Sequence, residues 1–182
     1  MFKKILVANR GEIAVRIIRA CKELNIKTVA IHSNVDTEAM HVKLADESIC
    51  VGSALPNESY LNIPSIISAI DISGADAVHP GYGFLSENDK FAKILKSHKV
   101  KFIGPTSKSI LELGNKSNAL RLASDFKLPI LGNKNSKNID NTSDAQKISK
   151  EIGMPVVIKA AYGGGGKGMR VFKNSSEIDK FF

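Results

Sequence analysis

Tryptophan is absent from the 182 residues, and aromatic side chains make up only 6%. Binders of single-stranded nucleic acid rely on aromatic stacking platforms, so this scarcity argues against a nucleic-acid partner. There are two cysteines, Cys21 and Cys50, with no CxxC pair and no Cys/His cluster. A zinc site and a secreted disulfide scaffold are both excluded by that pattern. Both thiols are expected to be buried in a reducing compartment, the cytoplasm or an organelle matrix or stroma. Long apolar runs are also missing. The opening Met1-Phe2-Lys3-Lys4-Ile5-Leu6-Val7-Ala8 gives way to Asn9-Arg10-Gly11, too soon for a signal-peptide core, and no stretch is long enough to span a membrane. What remains is ordinary globular composition, 43% hydrophobic and 24% charged. Lys and Arg number 26 against 18 Asp and Glu, a net charge of +8. An excess of that size suits an acidic ligand such as a nucleotide phosphate or bicarbonate, but the lysines are scattered, as on a solvated surface.

Apolar periodicity orders the chain. Lys4 to Ala8 reads as a buried parallel strand, and Gly11 opens a helix to about Leu24 with Ile13, Ala14, Ile17, Ile18, Cys21 and Leu24 on one stripe. Glu12, Arg16, Arg19 and Glu23 fall on the opposite face at i,i+4 spacing. Strands are expected at Lys27 to His32, Ser48 to Gly52, Ala75 to His79 and Val100 to Ile103. Helices are expected at Asn62 to Ser73 and Asn88 to Ser97. This alternation predicts an α/β fold with a parallel, doubly wound sheet. A break falls near Gly104-Pro105. Two short helices follow, Ser107 to Leu113 and Lys116 to Phe126, then an Asn-, Lys- and Ser-rich connector from Gly132 to Ser143. A helix to Ile152, strands at Val156 to Ala161 and Met169 to Phe172, and a helix from Ser175 complete the sequence.

Four segments could carry chemistry. Ala8-Asn9-Arg10-Gly11-Glu12-Ile13-Ala14 is a strand-to-helix turn, but Asn9 and Ala14 stand where a dinucleotide fingerprint needs glycines. Asp36 only weakly mimics a ribose-binding acid, so a structural turn is the better reading. His79-Pro80-Gly81-Tyr82-Gly83-Phe84-Leu85-Ser86-Glu87-Asn88 follows a parallel strand, at the end where open α/β sheets bind ligands. Ser86 or Asn88 could cap the next helix. Lys116, at an expected helix start, is electrostatically unfavourable there unless an anion offsets it. In Lys159-Ala160-Ala161-Tyr162-Gly163-Gly164-Gly165-Gly166-Lys167-Gly168-Met169, the glycines let backbone amides close around phosphate oxygens. Gly168 after Lys167 rules out a Walker A loop. Apolar strands on both sides favour a hairpin lid over a linker, with Lys159 emerging beside it.

Taken together, ILVANRGEIAVRIIRACKELNIKTVAIHS, HVKLADESICVG, SYLNIPSII, AVHPGYGFLSEN, FIGP, LGNKSNA and GMPVVIKAAYGGGGKGMRV closely resemble the biotin carboxylase family in order and spacing. The resemblance implies a Rossmann-like pre-ATP-grasp domain over residues 1–113, followed by the beginning of an ATP-grasp domain over 114–182. It implies the first half-reaction of acyl-CoA carboxylases. ATP activates bicarbonate as carboxyphosphate, which delivers carbon dioxide to biotin on a carrier protein. Lys116, Lys159, Gly163, Gly164, Gly165, Gly166 and Met169 map onto ATP contacts. Lys167 belongs to the same lid. Tyr82 and Gly83 map onto a loop facing the cleft near biotin. Arg16, Arg19 and Glu23 lie on a helix resembling the family's homodimer face. The implied partners are a biotin carboxyl carrier and a carboxyltransferase.

The same resemblance places the magnesium ligands, the bicarbonate-binding lysine and the catalytic and biotin-binding arginines beyond Phe182. No catalytic or Mg2+ ligand is therefore expected within this chain, and the 182 residues alone are expected to be inactive. Asn115 departs from a common Asp, and Lys167 from an Arg frequent in acetyl-CoA carboxylases, leaning toward propionyl-CoA or methylcrotonyl-CoA carboxylase α subunits. Two alternatives stand beside this reading: a noncatalytic truncated nucleotide-binding or dimerisation module, and another ATP-grasp ligase such as carbamoyl-phosphate synthetase.

Overall fold

The computed structural model describes residues 1–130, 139, 141–159 and 168–180. The chain divides into two compact units, Met1–Leu111 and Glu112–Phe182.

The first unit is built on five parallel strands: β1 (Lys4–Val7), β2 (Lys27–Ser33), β3 (Glu47–Gly52), β4 (Ala77–His79) and β5 (Lys101–Phe102). Their order across the sheet is β3-β2-β1-β4-β5, all pairs parallel. β1 and β2 read as unbroken apolar runs because both faces of the sheet are covered. Ile5, Val7, Ala30 and Ala77 face helix α1 (Gly11–Glu23) through Ala14, Ile17, Ile18 and Cys21. Leu6, Val29, Ile31 and Val78 point the other way. They meet Ile66, Ala69 and Ile70 of a later helix (Ile63–Ser73) and Phe91, Ala92 and Leu95 of another (Asp89–Ser97). Burial of such side chains stabilises by roughly 1.5–3 kcal/mol each. These elements make the expected doubly wound α/β fold.

One helix has no periodic signal in the sequence: α2 (Met40–Leu44), five residues long. It is held from within by His41, whose Nε2 lies 3.3 Å from the Ile31 carbonyl oxygen of β2. The helices at Ile63–Ser73 and Asp89–Ser97 are α3 and α4 in chain order. Asn62 and Asn88 cap them by accepting from Ser65 N and Phe91 N. Between Asn88 and Ser86, it is Asn88 that caps.

Cys21 is buried as expected, and burial pushes its thiol pKa up. Cys50 is exposed, which corrects the expectation of two buried thiols. It lies on β3, an edge strand of the sheet, where the neighbouring Val51 points inward and Cys50 therefore points out. An apolar neighbourhood in sequence cannot distinguish the two faces of an edge strand.

Helix α5 (Ser107–Gly114) crosses from the first unit to the second. The second unit continues with α6 (Lys116–Asp125), α7 (Thr142–Ile152), β6 (Val156–Lys159), β7 (Met169–Phe172) and α8 (Ser175–Asp179). β6 and β7 pair antiparallel, Val156 opposite Phe172 and Lys159 opposite Met169. Val156, Ile158 and Phe172 pack with Ala145 of α7 and Ile178 of α8 into a small core. The opposite face of the hairpin shows Val157, Val171 and Met169, each about half exposed. Most of the connector expected at 132–143 lies outside the described residues.

Candidate functional site

Open parallel sheets take ligands at the carboxyl ends of their strands, where strand order reverses. Here that point lies between β1 and β4. Asn9, only 3% exposed, fills it. Its side-chain amide donates to Pro80 O at 2.7 Å and Tyr82 O at 2.8 Å, and its carbonyl oxygen accepts from Arg10 N at 2.8 Å. Gly81, at φ +64°, approaches so closely that a Cβ would lie 2.9 Å from the Asn9 amide nitrogen. A pyrophosphate at the head of α1 would have to displace this amide, so the Asn9 departure from the dinucleotide fingerprint has a structural consequence. Replacing Asn9 with alanine removes the donor from two carbonyls at once. The expected destabilisation is about 2–4 kcal/mol, read as a lowered urea midpoint with unchanged slope.

Asp36 does not present a free edge for a ribose. Its Oδ2 accepts from Tyr60 OH at 2.6 Å, Ser33 Oγ at 2.7 Å and Arg10 NH1 at 3.3 Å. Burial pushes the carboxyl pKa up, but these three donors outweigh it and hold the group below its ordinary value. Burial first, then Asp36, pushes Tyr60 up to about 12. The Tyr60 ring stacks on Phe84 at 5.2 Å, and the Arg10 guanidinium sits over both rings, 5.4 and 5.9 Å from their centroids. This cluster ties the 80–88 loop to the ends of β1 and β2. Apart from Ser33, three residues before Asp36, its members are 24 to 74 residues apart, so no local pattern in the sequence announces it.

His79 ends β4. Its Nδ1 accepts from Gly81 N at 3.1 Å, and burial lowers its pKa. Tyr82 is 60% exposed, and its phenol donates to Glu12 Oε1 on the first turn of α1. Glu12 Oε2 lies 3.8 Å from Arg16 NH1, as the i,i+4 spacing anticipates.

Protonation of the buried groups gives the unit a defined acid response. His41 is 1% exposed, and its Nδ1 has no hydrogen-bond partner among the described residues. Burial lowers its pKa. Above about pH 6.5 the ring is neutral in both folded and unfolded chains. As pH falls below that value the unfolded chain binds a proton the folded chain refuses, so stability declines, by up to about 1.4 kcal/mol per pH unit. Asp46 adds a second step. The Lys27 ammonium, helped by Thr28, holds its carboxylate down to about 2 against the opposing cost of burial. That contribution is complete above about pH 4 and fades as pH falls toward 2. Urea midpoints should be flat from pH 8 to 7, fall toward pH 5, and fall again below pH 4. His41→Gln should reduce the upper step and leave the share of His79, whose pKa burial also lowers.

In the second unit, Lys116 is the first residue of α6, capped by Asn115, whose side chain accepts from Asn118 N at 3.1 Å. Lys159 ends β6 and Met169 begins β7. They are cross-strand partners at the end of the hairpin where residues 160–168 join the two strands, both on its exposed face. Gly163, Gly164, Gly165, Gly166 and Lys167 lie outside the described residues. Gly168, immediately before β7, has φ +76°. Among the described residues no group of three or more His, Cys, Asp or Glu could hold a metal ion, and no helix is long and apolar enough to cross a membrane.

Residues 1–110 match the biotin carboxylase N-terminal domain family, and residues 115–182 match the carbamoyl-phosphate synthase L chain ATP-binding domain. The chain is 49% identical over 180 residues to the biotin carboxylase of Pseudomonas aeruginosa, covering 99% of this chain and 40% of that protein. Among solved structures, a Campylobacter jejuni biotin carboxylase in a β-γ-ATP complex shares 46% identity with a TM-score of 0.94, over 99% of this chain and 40% of that one. The biotin carboxylase domain dimer of Hydrogenobacter thermophilus 2-oxoglutarate carboxylase, in complex with MgADP, ADP and bicarbonate, shares 44% identity with a TM-score of 0.93, over 100% and 40%. The chain thus spans about two fifths of the length of these relatives. The family match over residues 1–110, with a parallel α/β sheet that superposes on these structures, decides the assignment: the chain belongs to the biotin carboxylase family.

Proposed function

We propose that these residues form the N-terminal portion of a biotin carboxylase, which uses ATP and bicarbonate to carboxylate biotin on a carrier protein. Residues 1–113 would be its N-terminal domain and 114–182 the start of its nucleotide-binding domain. The observation that carries the reading is the β6–β7 hairpin. It places the Lys159 ammonium beside Met169 at the mouth of the glycine run, on a face that also shows Val157 and Val171. Such a face suits a nucleotide. Apolar side chains cover the flat base, and an ammonium meets phosphate oxygens. Lys116, Lys159, Met169 and the amides of Gly163 to Gly166 bind ATP on this reading. Phosphoryl transfer needs mainly positioning and charge neutralisation, and this chain's share is the lysine charge and the closing loop. The resemblance to the biotin carboxylase family assigns the Mg2+ ligands to other parts of the complete enzyme. On this reading Tyr82 and Gly83 belong to the loop near biotin. α1, through Arg16, Arg19 and Glu23, contributes to a homodimer. A biotin carboxyl carrier and a carboxyltransferase are the partners, in the cytoplasm or an organelle matrix.

The test is a chimera in which this chain replaces the matching first two fifths of the Pseudomonas aeruginosa biotin carboxylase. ADP release dependent on both bicarbonate and free biotin is the expected result, with no turnover from the 182 residues alone. A folded chimera that binds ATP neither in equilibrium dialysis nor in turnover would sink the proposal.

A further inference from the structure

Tyr82 is an exposed aromatic residue held at both ends. Asn9 pins its backbone carbonyl at 2.8 Å, and Glu12 accepts its phenol hydrogen. An exposed ring ordinarily samples several rotamers, which a ligand must freeze on binding. Here that ordering is done in advance. Glu12 is 70 residues away in sequence, and the parallel pairing of β1 with β4 brings the two loops together. The Glu12 side chain is 61% exposed and belongs to neither core cluster of the first unit. Packing therefore does not account for its position. Its second oxygen faces Arg16 at 3.8 Å and leaves the first oxygen for the phenol.

We infer that Glu12 is a positioning residue that fixes the Tyr82 ring as a preformed platform, beside the plugged switch point, for the ring of the carboxyl acceptor. This rests on the reading that the 80–83 loop faces biotin. The simplest competing role for Glu12 is a carboxylate that favours the N-terminus of α1 through the helix dipole. That role would change stability and leave the phenol indifferent to residue 12.

The 182-residue chain permits a direct spectroscopic test, because it has three tyrosines and no tryptophan. The difference between the ultraviolet pH titrations of the parent chain and Tyr82→Phe isolates Tyr82. Its hydrogen bond to Glu12, and then the carboxylate's charge, raise its ionisation above the ordinary tyrosine value, while Tyr60 ionises at about 12. In Glu12→Gln the Tyr82 curve should move to lower pH, with Tyr60 unmoved. Coincident Tyr82 curves in the two chains overturn the inference.

In the chimera, Glu12→Ala should raise KM for free biotin by about three- to tenfold, with kcat at saturating biotin and KM for ATP little changed. Glu12→Gln should restore KM, since its amide oxygen can accept the phenol hydrogen. If Tyr82→Ala raises KM for biotin and Glu12→Ala does not, Glu12 has no positioning role. If Tyr82→Ala itself leaves KM for biotin unchanged, the biotin-facing reading of the loop fails, whatever the titration shows.

Discussion

In the chimera, Lys159→Gln is expected to raise KM for ATP by about 10- to 100-fold while leaving KM for biotin within about twofold. Lys159 ends β6 on the exposed side of the hairpin, opposite Met169. A charge-assisted hydrogen bond from its ammonium to a phosphate oxygen is worth roughly 1.5–3 kcal/mol, and glutamine, one atom shorter, keeps a polar side chain without the charge. Because the side chain is exposed, its loss should change folding stability by no more than about 0.5 kcal/mol. The variant thus separates binding from folding. Steady-state kinetics at varied ATP, with a thermal melt as control, decide it. An unaltered KM for ATP would remove the hairpin from the nucleotide site.

The second large effect concerns folding. Gly52→Ala should destabilise the first unit by about 3 kcal/mol or more. Gly52 ends β3 at φ +150°, and a Cβ there would lie 1.8 Å from the backbone oxygen of Glu58. That oxygen belongs to a short turn, Pro56–Glu58, and no flexible side chain can swing aside. The turn leads into Tyr60, which is fully buried and carries the Asp36 and Phe84 contacts, so distortion reaches the loop that holds Tyr82. Gly74→Ala is the control. Gly74 caps α3 at φ +65° with nothing within 4 Å of an added Cβ. It should cost only the left-handed backbone penalty, about 1–2 kcal/mol. Urea denaturation of the three chains gives the comparison. Equal losses in both variants would mean that the close approach at Glu58 relaxes freely.

Much of the first unit was legible from its residues. Ile5, Leu6 and Val7 form a short apolar run because both faces of β1 are covered, and the stripe from Ile13 to Cys21 marks the buried side of α1, whereas Leu24, just past the helix end, is 55% exposed. One cap was narrowed to Ser86 or Asn88 by side-chain chemistry, and Asn88 takes it, accepting from the third residue of its helix. Weak signals were lost where a long-range partner supplies the stability. α2 is too short for its own periodicity to show, and it depends on His41 reaching Ile31. Cys50 looked buried because its neighbours are apolar, yet alternation on an edge strand turns it outward. In the site, Lys159 and Met169 were legible as the two ends of a hairpin, because strand patterns flank a run of glycines. The Arg10–Asp36–Tyr60–Phe84 cluster was not, since each member is unremarkable in its own segment.

The sequence by itself determined the family, the alternation of strands and helices, and the residue types of the glycine-rich hairpin proposed to meet a nucleotide. Each of these depends on local composition and order along the chain. Only the tertiary structure decided which groups meet. The parallel pairing of β1 with β4 sets Asn9 under the 80–83 loop and Glu12 against Tyr82. Contacts of this kind join residues about 70 positions apart. Their geometry follows from the register of a sheet and the packing of both its faces, which no local window of sequence contains.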